Sequence, residues 1–212
     1  MKSAIFQLRK VKLPFALDML ERATAATFLS FFAMRFLDAY METGKVILLL
    51  QVVAECLIIG FLLVRRISNQ VSLSPTDWCV AVAGTILPLF AIPGGEPLVP
   101  VSLSGAFMLT GIIINIWAKL SLRRSFGIVA ANRGVKTNGP YNFVRHPMYF
   151  GYVVTQIGFL LANPTIHNIV CYLSASTFQV LRILAEERTL SQDQEYKIYT
   201  VKVRNRLIRG VF

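Results

Sequence analysis

Acidic residues are scarce in this sequence: 11 Asp and Glu stand against 22 Lys and Arg, a formal charge of +11. Cysteine is scarcer, at three, and histidine scarcest, at two. Cys56, Cys79 and Cys171 all fall inside apolar runs, with neither paired nor metal-ligand spacing. That pattern excludes a disulfide framework and offers no metal site; the three read as small buried hydrophobes. Charge of either sign is sparse, at 16% of residues against 55% hydrophobic. A soluble domain of 212 residues has too little interior to hide that much apolar surface, so the chain reads as an integral membrane protein. Its positive excess then points to anionic lipid headgroups and not to nucleic acid, because nucleic-acid binders seldom carry several runs long enough to cross a bilayer.

Residues 1–22 hold Lys2, Arg9, Lys10, Lys12 and Arg22 among apolar residues, a basic amphipathic lead-in too long and broken for a cleaved signal peptide. Apolar stretches follow at 23–41, 46–64, 77–92 and 101–120, most of them near the ~20 residues a spanning helix needs. METGK at 41–45 and AIPGGEPLVP at 91–100 are the turns between them. A basic loop at 119–147 carries Gly127, Gly134, Gly139 and Pro140. The next apolar stretch, 148–184, is interrupted by NPTIHN at 163–168, which predicts a helical hairpin. The tail, 185–212, is charged. The expected fold is all-α: a polytopic membrane bundle of about five to six segments whose last pair is a hairpin. It forms one integral membrane domain over 1–212, with four transmembrane helices in 23–120 and the motif-bearing region in 121–212.

Lys and Arg number five before residue 23, two at 65–66, six in 119–147 and seven in 182–212, against Lys45 alone in the other turns. By the positive-inside rule the chain is multi-pass with both termini cytoplasmic. The long loop and the tail therefore share a side, at either end of one hairpin. Within the spans, Arg35 and Asp38 are expected to pair on one helix face. Glu55 either pairs with Arg35 or lines a cavity. Asn115 and Gln156 read as interhelical hydrogen bonders. His167, in the turn away from the charge cluster, has no assigned role.

The chemistry concentrates in NGPYNFVRHPMYFG, residues 138–151. Pro147 suits the first turn of a helix, where its missing N–H costs nothing. Arg145 and His146 just ahead of a helix N-terminus suit an anion. The plain alternative is an interfacial helix start with belt aromatics. Glu186 and Glu187 end the second arm of the hairpin, a poor place for carboxylates if the helix stops there. They fit if the helix continues or if they hold a cation. Tyr196 and Tyr199 recur at helical spacing, as on an interfacial helix.

GPYNFVRHPMYFGY, then EERTL, then EYKIYTVKVRNRLIRGVF resembles the isoprenylcysteine carboxyl methyltransferase and phospholipid methyltransferase superfamily, and its small prokaryotic members most. RRSFGI at 123–128 adds to the likeness, which covers about 105–212. The resemblance implies a multispanning enzyme of a prokaryotic inner membrane that uses S-adenosyl-L-methionine without a Rossmann domain, in a cytoplasmic pocket built from loop and tail. It places Tyr141, Arg145, His146, Pro147, Tyr149, Glu186 and Glu187 at the cofactor. Glu187, Lys202 and Arg145 fall nearest the chemistry, with Lys202 at the position that holds an acceptor's carboxylate. Arginine is commoner there, and a lysine offers a point charge instead of a fork. Arg209 stands where the family usually has proline.

The implied partners are membrane lipids and a lipophilic or prenylated acceptor, and no oligomeric state can be read from the sequence. A cationic cofactor wants carboxylates and aromatic faces, and its own carboxylate wants Arg or His. A sterol-reductase-like NADPH enzyme and a non-catalytic membrane scaffold are the alternatives.

Overall fold

The structure, a computed structural model, describes residues 2–44, 46–68, 71–208, 210 and 212, with the side chains of 2–14, 46, 47 and 50 left aside. Lys45 and Arg209 lie outside the described residues. Seven α-helices account for most of the chain: α1 (Lys2–Thr43), α2 (Val46–Val64), α3 (Pro75–Ile86, extended by a 3-10 turn at Leu87–Phe90), α4 (Val101–Leu122), α5 (Pro147–Ala162), α6 (Ile166–Leu190) and α7 (Gln194–Lys202). Helix α4 packs along α5, α1 along α2, and α3 along α6.

The expected boundaries hold for α2, α3 and α4, and the hairpin breaks at 163–165 as NPTIHN requires. The N-terminus differs. The separate lead-in at 1–22 and the span at 23–41 are one 42-residue helix. Residues 15–43 hold no Gly or Pro, and Ala, Leu, Met, Glu and Arg propagate a helix well, so nothing interrupts it there. At ~1.5 Å per residue that helix is about twice the thickness of a hydrocarbon core.

Two helical stretches are long and apolar enough to cross a membrane among the described residues, Val101–Ser125 and Ile166–Leu190. Their burial pattern is inverted relative to a water-soluble bundle. On α4 the buried positions include Ser104, Gly111, Asn115 and Lys119, while Leu103, Ile113, Trp117 and Leu120 face out. On α6, Asn168, Gln179 and Arg182 are buried, and Ile169, Leu173 and Leu184 are exposed. Polar groups that lipid cannot satisfy turn inward, and small residues let backbones approach. A Cβ on Gly111 would lie 2.6 Å from the Gly151 carbonyl oxygen, and one on Gly158 would lie 2.7 Å from the Met108 nitrogen. The α4–α5 contact is therefore backbone against backbone. Asn115 Nδ2 closes it by donating to the Met148 carbonyl at 2.9 Å, as expected of an interhelical bond.

Other intramembrane expectations change. Arg35 and Asp38 are both exposed and form no ion pair with each other among the described residues, and a pair exposed on a helix face gains little from closing. Among the described residues Gln156 makes no interhelical hydrogen bond, and it faces a cavity in the bundle together with Glu55. His167 Nε2 lies 3.0 Å from the Phe90 carbonyl oxygen, tying the start of α6 to the end of α3.

The basic end of the bundle is held by loops. Two points of the α2–α3 connection bond to the 124–132 loop: Arg66 N donates to Arg124 O at 2.8 Å, and Ser72 N to Ala130 O at 2.9 Å beside an isolated antiparallel bridge between Val71 and Ala131. Beneath that loop sits a buried charge knot. Arg65 forks onto Glu21 at 2.7 and 2.8 Å and meets Asp18 at 2.8 Å. Glu21 also accepts from the Ile128 and Val129 amides at 2.8 and 3.1 Å. Burial works against the Glu21 carboxylate, but the Arg65 fork, the Arg133 charge and the Val129 amide outweigh it and its pKa is lowered. A residue assigned to a lead-in thus anchors the loop over the site.

Candidate active site

Pro147 is the first residue of α5, with fixed φ and no N–H to lose, so the helix starts there and His146 becomes its N-cap. Tyr149 follows three residues on and falls on the same face; its ring is 5.8 Å from the imidazole. From the other arm of the hairpin, α6 continues past Ala185 to Leu190 and does not stop at the carboxylate pair. That continuation removes the dipole objection and aims Glu186 and Glu187 across at α5.

The two ends meet. His146 Nε2 is 2.9 Å from Glu187 Oε1, and its Nδ1 is 3.6 Å from Glu186 Oε2. Tyr149 donates its hydroxyl to Glu186. Glu187 is the hub: Tyr196 donates to Oε1 at 2.8 Å, while Arg145 Nη1 and Arg206 Nε approach Oε2 at 3.2 and 3.5 Å. Arg182, one turn before Glu186 on α6, sits 3.6 Å from it and 5.3 Å above the Tyr149 ring centre. Tyr199 donates to the Tyr141 carbonyl at 2.7 Å, so α7 clamps the 3-10 turn at Gly139–Asn142. Burial alone would favour neutral His146. Hydrogen bonds and negative charge from Glu186 and Glu187 reverse that, and its pKa is raised above 6.5.

A cleft opens beside this cluster. Tyr141, Arg145, His146, Tyr149 and Glu186 line one wall, Tyr196 and Tyr199 another, and Gly127, Arg133 and Gly134 of the loop a third. Arg133 lies over Gly127 so closely that a Cβ there would be 2.2 Å from its Nη1, so any side chain at 127 would displace the guanidinium. Its Nη2 lies 3.5 and 3.6 Å from Asp18 and Glu21, while its Nε is buried without a hydrogen-bond partner among the described residues. Buried donors of this kind, with aromatic rings and a carboxylate opposite, suit a ligand carrying both a carboxylate and a cationic centre.

Of the residues singled out in the sequence, Tyr141, Arg145, His146, Tyr149, Glu186 and Glu187 are brought together. Pro147 is buried and sets the helix start without lining the cleft. Lys202 is not brought in: it is the exposed last residue of α7, which turns its other face, with Tyr196 and Tyr199, to the site. The basic tail residue that reaches the carboxylates is Arg206. It is carried there by backbone pairing of Arg145 N with Asn205 O at 3.0 Å and of His146 N with Arg206 O at 2.8 Å. Nothing local in the sequence marks Arg206, Arg133 or Glu21. Arg182 had a signal, since it stands four residues before Glu186 on one helix.

Residues 104–192 match the model of the Isoprenylcysteine carboxyl methyltransferase (ICMT) family. That stretch carries α4, the loop, α5 and α6 with the His146 and Glu186–Glu187 ends, and stops before α7. No curated protein matches the chain.

Proposed function

We propose that this protein, whose residues 104–192 match the isoprenylcysteine carboxyl methyltransferase family, belongs to that family and is an S-adenosyl-L-methionine-dependent methyltransferase of a lipophilic acceptor. The single observation that carries the reading is the meeting of His146 with Glu186 and Glu187 beside an aromatic cleft. We propose further that the chain is one multi-pass domain with the cleft at the cytoplasmic face, since the arginines collect at that end.

The cleft's residues fit the cofactor. Arg133, Arg145 and His146 would hold its carboxylate, and Glu186, Tyr149 and Tyr196 would face its cationic end. When bound, it supplies a methyl group on a positively charged sulfur. The protein contributes position and exclusion of water: Glu187 orders Arg145, His146, Tyr196 and Arg206 at once, and α7 closes the side. Glu186 and Glu187 raise the pKa of His146 and so favour its protonated form, which makes it a poorer base. That favours an acceptor already nucleophilic as an anion, such as the carboxylate of a prenylated or other lipid-like substrate, over an amine needing a base.

Purified protein should bind S-adenosylhomocysteine saturably, and His146→Ala combined with Glu186→Ala should abolish binding. Binding that survives both changes, or stabilisation by NADPH in place of S-adenosylhomocysteine in the same thermal titration, would refute the reading.

A further inference from the structure

A second cavity, of about 190 Å³, lies inside the bundle, on the side of Arg182 away from the active-site cleft. It exceeds the ~150 Å³ that holds benzene in an engineered core. Helices α1 to α6 all contribute to it, and its lining is graded along the helices. Lys119, Tyr152 and Arg182 lie toward the active-site end. About one turn further along are Glu55, Asn115 and Gln179, and beyond them Met108, Ile112 and Phe159. Arg182 lines this cavity and approaches Glu186, a residue of the cleft, at 3.6 Å.

Several polar groups here are buried and unmatched. The Lys119 side chain is on a residue 1% exposed, and its ammonium makes no hydrogen bond or ion pair among the described residues; the Tyr152 ring, 5.4 Å away, is its contact. Glu55 Oε2 and Gln179 Oε1 have no hydrogen-bond partner. Glu55 and Lys119 line the same space without approaching within 4 Å of each other. Arg182, by contrast, is occupied by Glu186, Thr85 and the Tyr149 ring. An unpaired ammonium and two unsatisfied acceptor oxygens around one cavity are costly in a membrane and unsuited to a hydrocarbon tail. They suit an anion beside an N–H or O–H donor.

We propose that this cavity binds the polar head of an amphiphile, with an oxyanion on Lys119 and an adjacent N–H or O–H donor on Glu55 and Gln179. The chain of the amphiphile continues toward Met108, Ile112 and Phe159. On the methyltransferase reading, on which its role as acceptor rests, Lys119 takes the part the sequence suggested for Lys202. Lys119 is then a positioning residue that selects the head group, and tail chemistry contributes little to selection.

The test uses the full chain in nonionic micelles without cofactor, titrated with three probes of equal chain length: N-dodecanoylglycine, dodecanoic acid and N-dodecanoylethanolamine. The expected order is N-dodecanoylglycine tightest, at least tenfold over N-dodecanoylethanolamine, which lacks the anion, with dodecanoic acid between. Lys119→Met should weaken N-dodecanoylglycine at least tenfold while S-adenosylhomocysteine binding stays within twofold. Lys119→Arg should keep most amphiphile affinity, and Glu55→Gln should narrow the gap between N-dodecanoylglycine and dodecanoic acid. Equal binding of all three probes to the wild type overturns the proposal even if Lys119→Met fails to fold, as does undiminished binding by Lys119→Met. Probe discrimination without S-adenosylhomocysteine binding would keep this site and sink the methyltransferase reading instead.

Discussion

Glu187→Gln isolates the hub of the site, because it keeps the side chain's shape and removes its charge. The carboxylate accepts from His146 and Tyr196 at 2.9 and 2.8 Å and faces Arg145 and Arg206 at 3.2 and 3.5 Å. A glutamine retains one acceptor oxygen, enough for His146 or Tyr196, but turns an NH2 toward one pair of donors. One charge-assisted hydrogen bond lost is worth ~1.5–3 kcal/mol. Arg145 and His146 would then be ordered only on binding, so the cost falls on affinity. A central value of ~2 kcal/mol corresponds to roughly 30-fold weaker binding of S-adenosylhomocysteine. Isothermal titration of wild type, Glu187→Gln and Glu187→Asp should give a graded series, with the aspartate between. The reasoning fails if Glu187→Gln binds within twofold of wild type while remaining folded by thermal melt.

Four further outcomes follow from the same geometry. His146 has a folded pKa above its ordinary 6.5, so its contribution is complete below 6.5 and is lost as pH rises through the folded value; wild-type thermal midpoints should decline over that window, and His146→Gln should lack the slope. Gly151→Val would force a side chain to within 2.7 Å of the Gly111 carbonyl oxygen, costing about 1–3 kcal/mol and lowering the melting midpoint by roughly 2–12 °C. Glu21→Gln removes one of the two buried carboxylates, Asp18 being the other, that face Arg65 and Arg133, which should destabilise by roughly 1.5–3 kcal/mol and raise proteolysis within 126–133. Arg206→Ala should weaken S-adenosylhomocysteine binding several-fold where Lys202→Ala leaves it unchanged; the reverse order would return the tail's role to Lys202.

Much of the layout was legible because it rests on local rules. Apolar run lengths set α2, α3 and α4, Pro147 set the start of α5, and NPTIHN set the break in the hairpin. The carboxylate pair was readable as a puzzle, since two acids at a helix end conflict with the dipole, and α6 resolves it by running on to Leu190. The length of α1 was not legible, because a basic, broken composition hides a helix that no residue in 15–43 interrupts.

What the sequence by itself determined is the all-helical character and the placing of His146 and of Glu186 and Glu187 at the open end of one hairpin: apolar run length and the NPTIHN break fix where its two arms begin and end. Only the tertiary structure decided which cations reach those carboxylates. Arg206 arrives through backbone pairing with 145–146 and Arg182 from one turn back on α6, while Lys202 is turned outward by the same α7 that brings in its tyrosines. Helix phase and long-range backbone contacts place side chains to within an ångström, and neither is written in local composition.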